Sequence, residues 1–178
     1  MLVVLARHHH GGGSPPSEAF GFREDLLTRD YIRYAEDALV DAGVRVVVVS
    51  GVPYSTGKGV ANTMDADVFV ACHVNSGKYK TGCVFCPASS PEDHELASLV
   101  CTALGDSCPE LERTRVWECK PGAWTDDALG TINRVVPPAI CYEPFFINAV
   151  EHAALRHDEG LRRVGEALAR GILEYLGA

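Results

Sequence analysis

Leu2 to Leu5, Val44 to Val49 and Val68 to Ala71 are short, β-branched apolar runs, each closed by Gly, Ser or polar residues. Continuous rather than alternating apolar character marks strands buried on both faces of a parallel sheet. Between the first two, Leu27, Tyr31, Tyr34, Ala35, Ala38 and Leu39 fall on one helical stripe within Arg23 to Ala42, and Gly43 follows as a stop signal. This is a strand–helix–strand unit. Further along, the pattern predicts a strand over Thr81 to Phe85, a helix over Pro91 to Leu104, a weaker strand over Arg115 to Glu118 and a strand over Ala139 to Tyr142. A last amphipathic helix covers Leu161 to Leu176, and its stripe Leu161, Val164, Leu168, Ile172 and Tyr175 is expected to pack onto the sheet. Gly57 to Asn62 reads equally as a helix start or a loop, and element boundaries within Cys108 to Pro121 are poorly marked. The expectation is an α/β fold: one domain over residues 1–178, with a mostly parallel twisted sheet flanked by helices.

Composition narrows the partners. Asp plus Glu outnumber Lys plus Arg by 24 to 16, a net charge of −8, and no basic run is dense enough to neutralise a phosphate backbone, so nucleic acid is excluded. No run of about 18 apolar residues exists, so no membrane span is expected. The apolar start Met1 to Ala6 is too short for a signal peptide, and the chain is expected to be synthesised in the cytoplasm. Seven cysteines cannot all pair within one chain, and free thiols are the simpler reading. Cys83 and Cys86 form a C-x-x-C spacing, but in a strand they face opposite sides and no second pair completes a zinc site. Cys72 faces away from His73 by the same rule and reads as a core thiol.

In an open parallel sheet, ligands bind beyond the carboxyl ends of the strands. The first strand runs into His8, His9, His10 and then Gly11 to Gly13; the third runs through Cys72 into His73, Asn75 and Ser76; the strand at Ala139 to Tyr142 runs into Glu143. Glu24 opens the first helix, whose N-terminal turn points back to the same edge. Three histidines are too few for a purification tag, and the glycines give backbone clearance around a ligand. Two imidazoles and one carboxylate with an open fourth position form the ligand set of a catalytic zinc. A second carboxylate within reach would act as general base for metal-assisted hydrolysis of an amide or ester. Glu24 alone would also suit a helix start, where it favours the macrodipole. Glu143, set between an apolar run and Pro144, Phe145, Phe146 and Ile147, needs a partner or a function.

These residues resemble the zinc-dependent N-acetylmuramoyl-L-alanine amidases of the amidase-3 type, which include phage endolysin catalytic domains. The opening LVVLARHHHGG resembles the family's strand and Asp-Pro-Gly-His-Gly-Gly motif, with Arg7-His8-His9 in place of Asp-Pro-Gly. Gly21-Phe22-Arg23-Glu24 resembles the family's Gly-x-x-Glu. Ala61-Asn62, Ala66-Asp67 and then Ala71-Cys72-His73-Val74-Asn75-Ser76 resemble the block around its Ser-Ile-His-Ala-Asn-Ser, the most specific piece. Tyr142-Glu143-Pro144-Phe145-Phe146-Ile147-Asn148 resembles its late glutamate motif, without the glycine and one residue short. The family's Thr-Arg after the second strand is replaced by Ser50-Gly51.

The resemblance implies one zinc ion (Zn2+) per chain held by His10, Glu24 and His73, with His8 the rival for the first position, and Glu143 as catalytic acid and base. Asn75 and Ser76 would border the substrate cleft. The implied substrate is peptidoglycan, cut between N-acetylmuramic acid and L-alanine by a bare catalytic domain without a wall-binding repeat, as in a phage lysin acting on the host wall. Two other readings stand beside it: a zinc hydrolase of the same fold for another amide, and a non-catalytic wall-binding relative.

Overall fold

The computed structural model describes residues 1–7, 17–77, 79–88, 90–123 and 125–178. In chain order these form β1 (Leu2–Arg7), a small hairpin of β2 (Glu18–Ala19) and β3 (Phe22–Arg23), α1 (Glu24–Asp41), β4 (Arg45–Ser50), α2 (Tyr54–Thr63) and β5 (Val68–Cys72). There follow β6 (Thr81–Pro87), α3 (Pro91–Ser107), β7 (Arg113–Cys119), α4 (Asp126–Ile132), β8 (Ala139–Glu143), a 3-10 helix (Val150–Arg156) and α5 (Asp158–Leu176). Six strands make the central sheet in the order β4-β1-β5-β8-β6-β7. β4, β1, β5 and β8 run parallel, whereas β6 is antiparallel to β8 and β7 follows β6. The edge at which β1, β5 and β8 end is therefore the edge at which β6 and β7 begin.

Every residue of β5 is buried, as its unbroken apolar run requires of a central strand covered on both sides. One face packs against α1, α3 and α5 through residues such as Leu27, Tyr31, Leu96, Leu104, Val164 and Leu168. The other packs against α2 and α4 through Phe69, Ala71, Phe85, Ile132 and Ala139. Cys83 and Cys86 fall in these two different cores, as strand alternation predicts, and all seven cysteines are free and buried. The ambiguous stretch Gly57 to Asn62 lies inside α2. The hairpin, α4 and the 3-10 helix were not predicted, because elements of two to seven residues are too short to show a period. α5 lies mainly on α1 and α3 and reaches the sheet through Tyr142, whose hydroxyl donates to the Val164 carbonyl at 3.0 Å. Among the described residues, no helix is long and apolar enough to cross a membrane.

Candidate active site

The carboxyl edge of the sheet collects the polar groups. Between β2 and β3, Phe20 and Gly21 both have positive φ (54° and 77°), the two-residue turn that matches the twist of a hairpin. The turn folds Ser17 back onto the start of α1. Its backbone N–H donates to Oε2 of Glu24 at 3.1 Å, and its carbonyl accepts from the Glu24 N–H at 2.9 Å. Glu24 is 3% exposed. Its Oε1 accepts from the Val74 N–H at 3.1 Å and lies 3.2 Å from Nδ1 of His73.

His73 sits one residue past β5 and is itself buried. Its N–H donates to the Tyr142 carbonyl at 3.0 Å, which continues the β5–β8 pairing, and its carbonyl accepts from the Tyr31 hydroxyl at 3.0 Å. Tyr31 is fully buried in α1, and burial pushes its phenol well above the ordinary range, so it remains a donor at any physiological pH. The ring of Tyr54 packs 6.2 Å from the imidazole.

Glu143 ends β8, one strand from His73. The Asn75 side-chain amide donates to its Oε2, and the Cys141 thiol lies 3.8 Å from Oε1. Burial raises the Cys141 pKa well above its ordinary value, so that sulfur stays protonated and donates rather than attacks. Asn75 is held in turn. Its N–H donates to Phe145 at 3.0 Å, its carbonyl accepts from Ile147 at 2.8 Å, and it bridges Phe146 in parallel register. Asn148 fastens the next residue pair by accepting the Gly77 N–H at 2.9 Å. Ser76 is exposed at the rim, its N–H turned onto the Asn75 side chain at 2.7 Å.

The structure thus brings Glu24 against His73 and Asn75 against Glu143 on adjacent strand ends. His8, His9 and His10 lie outside the described residues. Among the described residues no three His, Cys, Asp or Glu side chains cluster as a metal site, so the pair Glu24 and His73 is what can be tested. Two donors, each roughly 2.0–2.1 Å from a tetrahedral zinc, lie about 3.3 Å apart. The 3.2 Å between Glu24 Oε1 and His73 Nδ1 fits that spacing, and one carboxylate with one imidazole fits the donor chemistry. His152, Arg113 and Arg115 were missed. No strand-end rule reaches His152 in a 3-10 helix, and the two arginines sit at the start of a strand rather than its end.

Comparison with known proteins agrees with this fold. The family model described as N-acetylmuramoyl-L-alanine amidase (Amidase_3) matches residues 4–174. No curated protein sequence matches the chain. Among solved structures, the amidase AmiC2 of Nostoc punctiforme superimposes with a TM-score of 0.83 at 21% identity, covering 100% of this chain and 98% of that one. Ami1 of Mycobacterium smegmatis gives 0.83 at 19% identity, with 99% and 97% covered. The catalytic domain of the CD27L endolysin, which targets Clostridia difficile, gives 0.76 at 16% identity, with 98% and 97% covered. These likenesses establish the fold, and the family match over almost the whole length establishes that the chain belongs to the N-acetylmuramoyl-L-alanine amidases of the Amidase_3 family.

Proposed function

We propose that this amidase works with one zinc ion held by His10, Glu24 and His73, and that Glu143 is its general base and acid in cutting the bond between N-acetylmuramic acid and L-alanine of peptidoglycan. One observation carries the reading: the Glu24 carboxylate is set 3.2 Å from the His73 imidazole, with Glu143 on the neighbouring strand end. When bound, zinc supplies a Lewis acid that polarises the carbonyl and lowers the pKa of water. Glu143 takes the proton of the attacking water and passes it to the departing alanine nitrogen, so the C–N bond is exchanged for C–O and a free amine leaves. The Asn75 amide on Oε2 and the Cys141 thiol near Oε1 steady the carboxylate for both transfers. Asn75 and Ser76 border the cleft. Residues 1–178 act as one catalytic unit, and the setting we assign is cell-wall lysis of the phage-endolysin kind, which the likeness to the CD27L catalytic domain supports.

The test is mass spectrometry of purified peptidoglycan digested by the zinc-loaded protein, with Glu143→Ala alongside. Stem peptides with an unblocked L-alanine amine are expected from the wild type alone, the variant losing several orders of magnitude in turnover while keeping its zinc. Intact peptidoglycan with stoichiometric zinc still bound would turn the assignment to another amide or to a non-catalytic binding module.

A further inference from the structure

Beside Glu143 opens a cavity of about 360 Å³ walled by Asn75, Cys83, Arg113, Arg115, Trp117 and Phe146. We propose that it is a subsite for a carboxylate on the peptide that leaves, gripped by Arg113 and Arg115; the assignment of that peptide rests on the amidase reading above.

The strand register lays the site out as a row. Cys83 of β6 is paired with Glu143 of β8 on one side and with Arg115 of β7 on the other, so the three side chains share one face of the sheet. His73 adds a fourth place on the far side of Glu143, one residue past the Cys72–Tyr142 partners. Arg113 is paired with Thr81, two residues nearer the open edge and on the same face as Arg115. Cys83 between them is short and buried, and burial pushes its thiol up to about 11, so it is a neutral spacer that leaves the cavity its depth.

Charge points the same way. Arg23, Arg29, Arg162, Arg163 and Arg170 each meet an Asp or Glu. Arg113 and Arg115 are among the arginines that meet no Asp or Glu among the described residues, and they are the two that line this cavity, in a chain with a net charge of −8. The Arg115 guanidinium is instead laid over the Trp117 ring, 5.1 Å from its centroid, a contact that orients the planar fork and leaves its N–H groups for an anion. β7 is an edge strand, where charge discourages pairing with another chain. That role does not require two arginines on one face above an apolar floor of Trp117 and Phe146.

Direction and reach identify the group. Glu143 delivers a proton to the departing nitrogen, so the peptide that begins at that nitrogen leads away from His73 and toward Cys83 and Arg115. Two strand spacings separate Glu143 from Arg115, about 10 Å, and an extended peptide advances about 3.3–3.6 Å per residue. A carboxylate within about three residues of the cut reaches the pair, which offers it bidentate, charge-assisted hydrogen bonds.

The test uses the full chain as Glu143→Ala, titrated calorimetrically with N-acetyl-alanyl-glutamate, with its uncharged counterpart N-acetyl-alanyl-glutamine amide and with glycerol phosphate. The acid is expected to bind about ten- to a hundredfold more tightly than the amide, and the preference to vanish in Arg113→Gln/Arg115→Gln. Arg115→Lys, which keeps charge but not the fork, should retain part of it. Equal affinity for acid and amide, or a preference that survives loss of both arginines, overturns the subsite. Glycerol phosphate binding more tightly than the acid, and through the same arginines, overturns it in favour of a phosphate-bearing wall polymer. Because binding needs no turnover, the two readings fail separately: acid-selective binding by a protein inert on peptidoglycan upholds the anion subsite and sinks the amidase mechanism, and turnover without acid preference does the reverse.

Discussion

His152 leaves no mark in the hydrophobic pattern, yet it is fully buried beside Phe145 and Phe146 and accepts the Phe146 N–H on Nδ1 at 2.9 Å. It thereby fixes the segment that follows Glu143. Burial, above all, lowers its pKa below the ordinary 6.5, because the charged imidazolium is poorly solvated there. The unfolded chain then binds the extra proton more readily than the folded one, so stability rises with pH through this window. Its contribution is complete above about pH 6.5 and is lost as pH falls toward the folded value, by at most about 1.4 kcal/mol per pH unit. Denaturant titrations across pH 5–7 should show this slope, and His152→Gln should flatten it. Asn75 should act on the reaction instead. Asn75→Ala removes the amide donor on Glu143 Oε2 and should lower kcat by about ten- to a hundredfold with little change in bound zinc, as steady-state kinetics and metal analysis would show. His73→Ala should lose the zinc itself, measured by equilibrium dialysis. Glu24, His73 and Glu143 could be placed on one edge from the sequence because each sits at the terminus of a clearly patterned element. That Asn75 holds Glu143 was not readable, because the contact joins residues 68 positions apart.

Helix packing shows what an element can and cannot announce. The stripe on α5 predicted a buried face, and Leu161, Val164, Leu168 and Ile172 are buried. The neighbours it meets follow from Gly165 and Gly171, which let backbones approach. A methyl group at 165 would run into the Tyr31 carbonyl and lie 2.8 Å from Tyr34 Cβ, and one at 171 would lie 2.5 Å from Val100 Cα. Gly165→Ala should therefore destabilise the fold by about 1–3 kcal/mol despite the better helix propensity of alanine, read as a lower denaturant midpoint. The cost extends to the site, since Tyr31 carries the hydrogen bond to His73. The β2–β3 hairpin is the opposite case. Gly21 hinted at a turn, but nothing local showed that the turn brings Ser17 to the Glu24 carboxylate.

At the scale of the molecule, zinc and fold should be linked. A ligand that binds only the folded chain stabilises it by about 2.7 kcal/mol at a hundredfold excess over Kd, or roughly 5–10 °C in Tm for a domain of this size. Scanning calorimetry should show that shift in the wild type and in Glu143→Ala, and none in His73→Ala. The alternation of apolar strands with amphipathic helices was enough to establish an α/β sheet and to put Glu24, His73 and Glu143 at its carboxyl edge. Such periodicity is a local property, set by how side chains must alternate to bury one face. Pairing partners are not local. The antiparallel entry of β6 next to β8 turns the beginnings of β6 and β7 toward the edge where the parallel strands end, and so puts Arg113 and Arg115 on the same edge as Glu143, two strands away. No spacing along the chain encodes that juxtaposition, because it arises only when the sheet closes around strands that are distant in sequence.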